Sequence, residues 1–242
     1  YKTATEEFNV TAMTVTAGAW ASGGNTGTDT RGQAGIGTQT ANVLASGYEG
    51  PGYTNRTESY DGTSWTEVAD YPQGQNGIAG CGTSTAGLAF GGEVSPKALT
   101  VEWGGSSWTS GGDLNTGRQY LAGFGTQTSA IAAGGNSPET DATEEYDGSS
   151  WTEVADLNVA RRSITGVGIE TAGLCFGGNA DTDATEEWNG SAWTNSGNLN
   201  TGVLSSAGSG TQTAALAIAG TNPSFSPPAI AKIEVYDGTS WI

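Results

Sequence analysis

The sequence of this 242-residue chain predicts an all-β propeller, a ring of small β-sheets, or blades, around one axis. An aromatic residue is followed five positions later by tryptophan at Tyr60/Trp65, Trp103/Trp108, Tyr146/Trp151, Trp188/Trp193 and Tyr236/Trp241. The first four of these tryptophans are spaced 43, 43 and 42 residues apart. A Gly-x-Gly segment recurs with them, at Gly35, Gly80, Gly123, Gly166 and Gly208. A period in the forties with several short strands in each unit is typical of propellers.

The first half of each unit predicts two strands, which we call A and B. Strand A contains the Gly-x-Gly segment, and such small residues suit the crowded axis of a ring of blades. Strand B is a short apolar run that ends at Gly or Gly-Gly, as in residues 87–92 (GLAFGG) and 173–178 (GLCFGG). Short apolar runs bounded by glycine are typical of strands buried on both faces. Several A–B turns read Thr-Gln-Thr, at 38–40, 126–128 and 211–213.

The second half predicts strands C and D, which carry the aromatic residue and the tryptophan respectively. Asp-Gly (61–62, 147–148, 237–238), Asn-Gly (189–190) or Gly-Gly (104–105) lies between them. These dipeptides are strong hairpin signals, because both central residues tolerate a positive φ. We expect the bulky rings to wedge between adjacent blades. Alternation places Glu144 on the face of Tyr146, and Glu186 on that of Trp188; we expect these carboxylates near the outer rim.

The repeats predict one domain over residues 1–242 with five blades. The units are residues 31–70, 75–113, 118–156, 161–198 and 203–242. Residues 1–22 resemble the second half of a unit, because Thr5-Glu6-Glu7-Phe8 matches strand C and Trp20 matches the tryptophan of strand D. The simplest closure has residues 13–22 complete the last blade as a strand beside residues 233–236. The remaining strand, residues 3–8, leaves an alternative open, in which the ring has six blades and one of them is split.

The charge and the apolar content of the chain limit its binding partners, and the two cysteines indicate the state of their thiols. The net charge is −17, with only 8 Lys and Arg, which disfavours nucleic acid and anionic membrane surfaces. No apolar run approaches the ~18 residues that a membrane span needs, so we expect no membrane insertion. Cys81 and Cys175 occupy different positions in separate units, which favours two buried free thiols over a disulfide.

The residue types present also exclude several chemistries. The chain contains no histidine, which removes Ser-His-Asp and Cys-His catalysis and histidine-based zinc or copper sites. The sequence therefore predicts no enzyme, no cofactor and no metal site. Three arginines, Arg31, Arg118 and Arg161, precede strand A in their units and are candidates for a ring that binds an anion. The alternative is that they pair with the many carboxylates.

The non-repeating material lies in two long B–C connections. Residues 48–56 and 221–230 replace connections that are short in the second to fourth units. If the first and last blades are neighbours, both connections lie on one face and form an aromatic, amide-lined pocket. Its candidate residues are Tyr48, Tyr53, Asn55, Asn222 and Phe225, a set that suits a sugar. The alternative is that both connections only cover the closure of the ring.

The repeats resemble kelch-type repeats, in which a strand ending in Gly-Gly leads to a strand with Tyr and then to one with Trp. Gly91-Gly92, Gly134-Gly135 and Gly177-Gly178 carry this resemblance, together with the aromatic–tryptophan pairs. The units ATEEYDGSSWTEVADLN and GTQTA look like the kelch-like repeat proteins of tailed bacteriophages, especially marine ones. That resemblance implies a virion protein whose partners are other virion proteins. Two functions remain open, adhesion to neutral host-surface glycans and a purely structural place in the particle.

Overall fold

A computed structural model describes residues 24–179, 183–222 and 231–242 of the chain. It confirms the predicted fold class, a five-bladed all-β propeller. All regular elements in these ranges are strands, and none is a helix. Accordingly, nothing in this part of the chain is a helix long and apolar enough to cross a membrane.

The strands follow the repeats of the sequence. The first blade contains β1 (Ala34–Thr38), β2 (Ala41–Glu49), β3 (Gly52–Tyr60) and β4 (Trp65–Glu67). The second contains β5 (Ala79–Thr83), β6 (Ala86–Phe90), β7 (Thr100–Trp103) and β8 (Trp108–Ser110). The third contains β9 (Ala122–Thr126), β10 (Ser129–Ala133), β11 (Thr143–Tyr146) and β12 (Trp151–Glu153). The fourth contains β13 (Thr165–Ile169), β14 (Ala172–Phe176), β15 (Thr185–Trp188) and β16 (Trp193–Asn195). The fifth contains β17 (Ala207–Thr211), β18 (Ala214–Ile218) and β19 (Ile233–Tyr236).

Each blade is an antiparallel meander in the order A-B-C-D. In the fifth blade the fourth position is held by Trp241 and Ile242, because Tyr236 pairs with Trp241 and the backbones of Val235 and Ile242 exchange two hydrogen bonds of 2.9 Å. Residues 13–22, predicted to pair beside residues 233–236, lie outside the described ranges.

The blades are joined near the axis by backbone hydrogen bonds. In each blade the residue two positions before the start of strand A has a left-handed backbone, with φ between 55° and 68°. These residues are Gly32, Gly77, Tyr120, Ser163 and Ser205. The N–H of this residue donates to the carbonyl of its counterpart in the preceding blade, as from Gly77 to Gly32 (2.8 Å) and from Tyr120 to Gly77 (2.8 Å). The same bond joins the third blade to the fourth and the fourth to the fifth, so four such bonds hold the inner ends of the strands in register.

The tryptophans of strand D pack between blades, as predicted. Trp193 stacks on Trp188 of its own hairpin, with ring centroids 5.3 Å apart, and meets Phe124 of the preceding blade at 6.3 Å. Its indole N–H donates to the hydroxyl of Thr143 at 3.1 Å. This bond recurs from Trp108, Trp151 and Trp241 to the strand-C threonine of the preceding blade that stands three residues before the aromatic residue of that strand: Thr57, Thr100 and Thr185. The repeat therefore encodes the junction as well as the blade.

Two local expectations are wrong. Residues 48–56, predicted as a loop, lie mostly in β2 and β3, which extend their hairpin to nine residues per strand with a turn at residues 50–51. The carboxylates of Glu144 and Glu186 do not lie at the outer rim, since both residues are 1% exposed. Each is paired with a buried arginine of its own blade, which offsets the cost of removing the charge from water.

Candidate functional site

The most distinctive concave surface lies where the axis opens on the side of the D–A connections. A cavity of about 490 Å³ is lined there by residues of all five blades. The left-handed residues and their neighbours form its wall, including Arg31, Gln33, Asn76, Tyr120 and Ser205. Gln33 Oε1 is buried there and has no hydrogen-bond partner among the described residues. An unpartnered acceptor beside a polar cavity favours a ligand or water that donates a hydrogen bond to it.

The long β2–β3 hairpin carries two tyrosines that lie outside the cavity wall, and one of them, Tyr48, contacts Arg31 of that wall. Tyr48 and Tyr53 face each other across the hairpin, and their rings form an edge-to-face pair with centroids 5.4 Å apart at 89°. Such a pair is favourable because the positive edge of one ring meets the negative face of the other. Tyr53 remains 45% exposed. An exposed aromatic ring held in a fixed orientation is a surface on which a ligand can stack.

Arg31 connects the tyrosines to the wall of the cavity. Its backbone exchanges two hydrogen bonds with that of Tyr48, at 2.9 and 3.2 Å. Its guanidinium carbon lies 4.8 Å from the centroid of the Tyr48 ring. A guanidinium over an aromatic face is attracted by the ring's quadrupole. The stacking fixes the head group of Arg31 beside the cavity, where its N–H groups can donate to a ligand.

Polar groups of the second and third blades complete the site. The Asn76 amide donates to Glu93 Oε2 at 2.8 Å and to the Tyr120 hydroxyl at 2.7 Å. Glu93 also acts on the Tyr53 hydroxyl: burial first, and then the charge of Glu93 and a hydrogen bond to it, raise the pKa of Tyr53 above its ordinary value. Like any phenol with a pKa of 10 or above, the Tyr53 hydroxyl is protonated at neutral pH and can donate a hydrogen bond. Three blades thus share one polar and aromatic surface.

Arg118 and Arg161 lie elsewhere. Both are 0% exposed, and each forms an ion pair within its blade, Arg118 with Glu144 and Arg161 with Glu186 (2.8 Å). Arg161 also donates to the carbonyls of Gly177 and Ala184, both at 2.9 Å. Their side chains are buried next to the second glycine of the Gly-Gly pairs, Gly135 and Gly178, so a ligand in solvent cannot reach them. The carboxylate-pairing alternative describes them, and of the three arginines only Arg31 lines the cavity.

The residues predicted to form one pocket in the two long connections lie at two different junctions between blades. Asn55 donates to Asp70 at 3.3 Å, and the Cβ of Tyr53 faces Gly74, so both lie toward the connection to the second blade. Asn222 is 8% exposed and donates to the Gly202 carbonyl at 2.7 Å, on the connection before the fifth blade. Phe225 lies outside the described residues. The tyrosines therefore belong to the junction of the first and second blades, and Asn222 to that of the fourth and fifth.

Sequence reasoning missed Asn76, Glu93 and Tyr120. Each comes from a unit that is a regular copy of the repeat, so the irregular connections do not indicate them. One signal was present in the sequence. Tyr120 stands at the position that holds glycine or serine in the other four units, and a large residue at this crowded left-handed position is an exception to the repeat.

The described residues include two cysteines, and their thiols and the acidic side chains can be examined as nucleophiles and metal ligands. Burial raises the pKa of both the Cys81 and the Cys175 thiol to about 12, so neither forms a thiolate at neutral pH. Both cysteines are free and buried, as predicted. No group of three or more His, Cys, Asp or Glu side chains in the described ranges is placed to hold a metal ion.

Comparison with known proteins adds no relative. No protein-family model matches the chain, and no curated protein sequence matches it significantly. The five-bladed fold is consistent with kelch-type repeats, and the likeness rests on the Gly-Gly strands and aromatic–tryptophan pairs of the chain itself.

Proposed function

We propose that this propeller is a non-catalytic binding module that takes a neutral saccharide at the axial cavity, against Tyr53 and Tyr48. The observation that carries the proposal is the fixed, exposed ring of Tyr53 beside hydrogen-bonding groups of three blades. Sugars offer C–H faces that stack on aromatic rings and hydroxyls that donate and accept hydrogen bonds. A cavity of about 490 Å³ lies in the range of small-ligand sites.

The charges around the site favour an uncharged ligand. Arg31 on one side and Glu93 on the other are of opposite sign, so neither a cation nor an anion is attracted by both. The chain as a whole carries −17, which repels anionic glycans at longer range. A hydroxyl, by contrast, can accept from Arg31 and donate to Glu93 or to Gln33 Oε1.

A titration with neutral mono- and oligosaccharides, followed by two-dimensional NMR, tests the proposal. We expect shifts at Tyr53, Asn76 and Tyr120, and the same shifts in the presence of EDTA, since the site uses no metal. Tyr53→Ala should weaken the affinity by about tenfold, the loss of one aromatic contact. The matched control is Ile169→Ala, which removes a side chain that is 51% exposed at the end of β13, just before the A–B turn and far from the cavity.

Two results would overturn the saccharide proposal. One is the absence of shifts with every saccharide of the panel. The other is a set of shifts around Ile169 that Tyr53→Ala leaves unchanged. Either result favours the second function, a structural protein whose blades serve only to present a rigid surface.

We further propose that the module belongs to a bacteriophage particle, where it contacts other virion proteins and acts in adhesion to the host surface. This part rests on the likeness of ATEEYDGSSWTEVADLN and GTQTA to kelch-like phage proteins. Mass spectrometry of purified particles is the test, with pre-incubation of host cells with the isolated propeller as a second measurement. The chain should be present in the particle, and the isolated propeller should reduce particle adsorption. Absence from the particle would refute the location, whereas presence without competition would refute adhesion.

A further inference from the structure

The buried ion pair of the third blade has counterparts at fixed positions of every blade. It joins Arg118 to Glu144, and both side chains are 1% exposed. In the second blade both charged residues are replaced together, by Gln75 and Val101. A carboxylate buried without a cation is costly, so we expect the loss of the arginine to accompany the loss of the glutamate.

The fifth blade departs from this pairing. Val203 stands at the arginine position, but Glu234 remains at the glutamate position. Glu234 is only 8% exposed, and it forms no ion pair with a Lys or Arg of the described ranges. Outside those ranges, only Lys2 has a positive side chain. The fifth blade therefore buries a carboxylate without the arginine that accompanies it in the third and fourth.

Hydrogen bonds satisfy part of the Glu234 carboxylate. Oε2 accepts from the backbone N–H of Asn200 at 2.7 Å and from its side-chain amide at 3.2 Å. Oε1 accepts from the Thr201 N–H at 2.7 Å. In the third blade, Oε1 of Glu144 accepts from the arginine as well as from the corresponding backbone N–H. The neutral donors thus fix the orientation of the Glu234 carboxylate, while its charge still calls for a cation.

A small cavity of about 10 Å³ adjoins this carboxylate. Besides Glu234, its lining includes Thr201, Ala217 and Ala219. These four residues are the counterparts of the four that accept hydrogen bonds from the Arg118 guanidinium in the third blade: Glu144, Thr116, Ala132 and Gly134. The cavity therefore lies among the oxygen acceptors that hold a positive group in the third blade. A cavity of this size holds one particle as large as a water molecule.

We propose that this cavity binds one alkali cation, K⁺ or Na⁺, between the Glu234 carboxylate and the backbone carbonyls of Thr201, Ala217 and Ala219. Carboxylate and carbonyl oxygens are the ligands that hard cations prefer. A single carboxylate balances a single positive charge, as it balances the guanidinium in the third blade. Ca²⁺ and Mg²⁺ fit less well, since Ca²⁺ takes more oxygen ligands and Mg²⁺ retains several waters.

Lys232 is the only cationic side chain in the lining of this cavity. It is exposed, and its ammonium donates to the Thr201 hydroxyl at 3.1 Å. It forms no ion pair with Glu234, although both residues are described. An ammonium in contact with water at the edge of the cavity leaves the buried charge of Glu234 without a direct counter-charge. Lys232→Gln therefore tests whether the ammonium competes with an alkali ion for this place.

Thermal unfolding in KCl or NaCl, compared with choline chloride at the same ionic strength, tests the proposal. Choline is too large for the cavity and serves as the reference cation. An alkali ion at about ten times its Kd shifts the folding equilibrium about elevenfold, which should raise the Tm by about 3–6 °C for a chain of this length. The rise should saturate with concentration, as binding to one site does.

Three variants assign the effect to this cavity. Val203→Arg should abolish the response to alkali ions, because the new guanidinium takes the place that Arg118 has in the third blade. Glu234→Gln should abolish it as well, and it is the variant to measure if Val203→Arg does not fold. The matched control is Glu58→Gln in the first blade, which should keep the full response. Glu58 is also 8% exposed and has no arginine partner, but its Oε1 accepts from the Gly27 N–H at 2.7 Å.

Three outcomes would overturn the proposal. Equal Tm values of the wild-type chain in choline and in alkali chlorides would show that the cavity takes only water. A response that survives both Val203→Arg and Glu234→Gln would place the ion elsewhere in the molecule. A response that appears only in Lys232→Gln would show that the lysine supplies the counter-charge in the wild-type chain.

Discussion

Trp193 of the fourth blade and Trp65 of the first hold the same position in strand D, yet their surroundings differ. Trp193 is 7% exposed and reaches the third blade through Phe124 and Thr143. Trp65 is half-buried and stacks on Tyr60 of its own hairpin, with centroids 4.9 Å apart. The residue type is the same in both places, so the contacts with the neighbouring blade account for the additional burial of Trp193.

The same contrast holds closer to the axis. Arg161 and Glu186 form a buried ion pair in the fourth blade, and the corresponding positions of the first blade hold Thr30 and Glu58. Glu58 accepts from the backbone N–H of Gly27 at 2.7 Å in place of a guanidinium. In the fourth blade the buried carboxylate is neutralised by an arginine, whereas in the first blade the carboxylate of Glu58 accepts a hydrogen bond from a backbone N–H.

The largest expected effect follows from breaking the charge pair of the fourth blade. Arg161→Met leaves the Glu186 carboxylate buried without its cation, and we expect a loss of about 3–5 kcal/mol in the free energy of unfolding. Urea denaturation measures it. Adding Glu186→Gln should recover part of the loss, because the neutral amide still accepts from Asn158. Thr30→Ala in the first blade is the matched control, with an expected change below about 1 kcal/mol. Equal losses in both blades would contradict the contrast.

Truncating the two tryptophans separates blade contact from hairpin contact. Trp193→Ala should cost about 3–5 kcal/mol, the usual range for a buried aromatic residue. Trp65→Ala should cost about 1–2 kcal/mol, because part of its surface already meets water. Thermal and urea unfolding of the two variants give the comparison. A cost for Trp65→Ala as large as that for Trp193→Ala would show that the first blade is covered as completely as the fourth.

Much of this contrast could be predicted from the sequence, and part of it could not. The period of the Trp and Gly-Gly positions predicts the blades, because each unit needs a neighbour to bury its apolar faces. The burial of Glu144 was not predicted, since strand alternation identifies a face of the sheet without saying whether another blade covers it. Part of the candidate site could be selected from the sequence: Tyr48 and Tyr53 stand in an irregular connection, and Arg31 precedes strand A. Asn76 and Glu93 reach them only through the ring geometry, which no local pattern contains.

A smaller effect comes from the glycines of strand A. A Cβ on Gly166 would lie 2.9 Å from both Ala122 Cβ and Phe124 Cδ1 in the third blade, whereas on Gly35 the nearest atom is Leu44 Cδ2, at 3.7 Å. Gly166→Ala should therefore cost about 1–3 kcal/mol through overpacking. Gly35→Ala should be neutral or stabilising by up to about 1 kcal/mol, because alanine lowers the entropy of the unfolded chain. A loss at Gly35 equal to that at Gly166 would show that another blade packs against Gly35 as closely as the third blade packs against Gly166.

The smallest expected effect concerns the C–D turns of the first and fourth blades. The two turns have the same hydrogen bonds, but the accepting side chain is a charged Asp61 in the first blade and a neutral Asn189 in the fourth. Asp61 Oδ1 accepts from the backbone N–H groups of Ser64 and Thr63, both at 2.9 Å, and from the Thr63 hydroxyl. These bonds, the Ser64 N–H first, lower the pKa of Asp61 to about 2 from its ordinary 3.8. In the fourth blade Asn189 Oδ1 accepts from the Ser191 N–H at 2.9 Å and the Ala192 N–H at 3.0 Å.

The sign of the pH dependence follows from that lowered pKa. Because the folded pKa of Asp61 is below the unfolded one, its contribution to stability is present above about pH 4 and is lost as the pH falls toward 2. Asp61→Asn should keep the turn, as Asn189 does, and remove this part of the acid sensitivity. Asp147→Asn should act alike, since the pKa of Asp147 is also about 2, with the Ser149 hydroxyl as the main cause. Urea midpoints measured between pH 2 and 5 give the comparison. If the double variant loses stability as steeply as the wild-type chain over that interval, the turns are not its source, and the remaining carboxylates of the blades are.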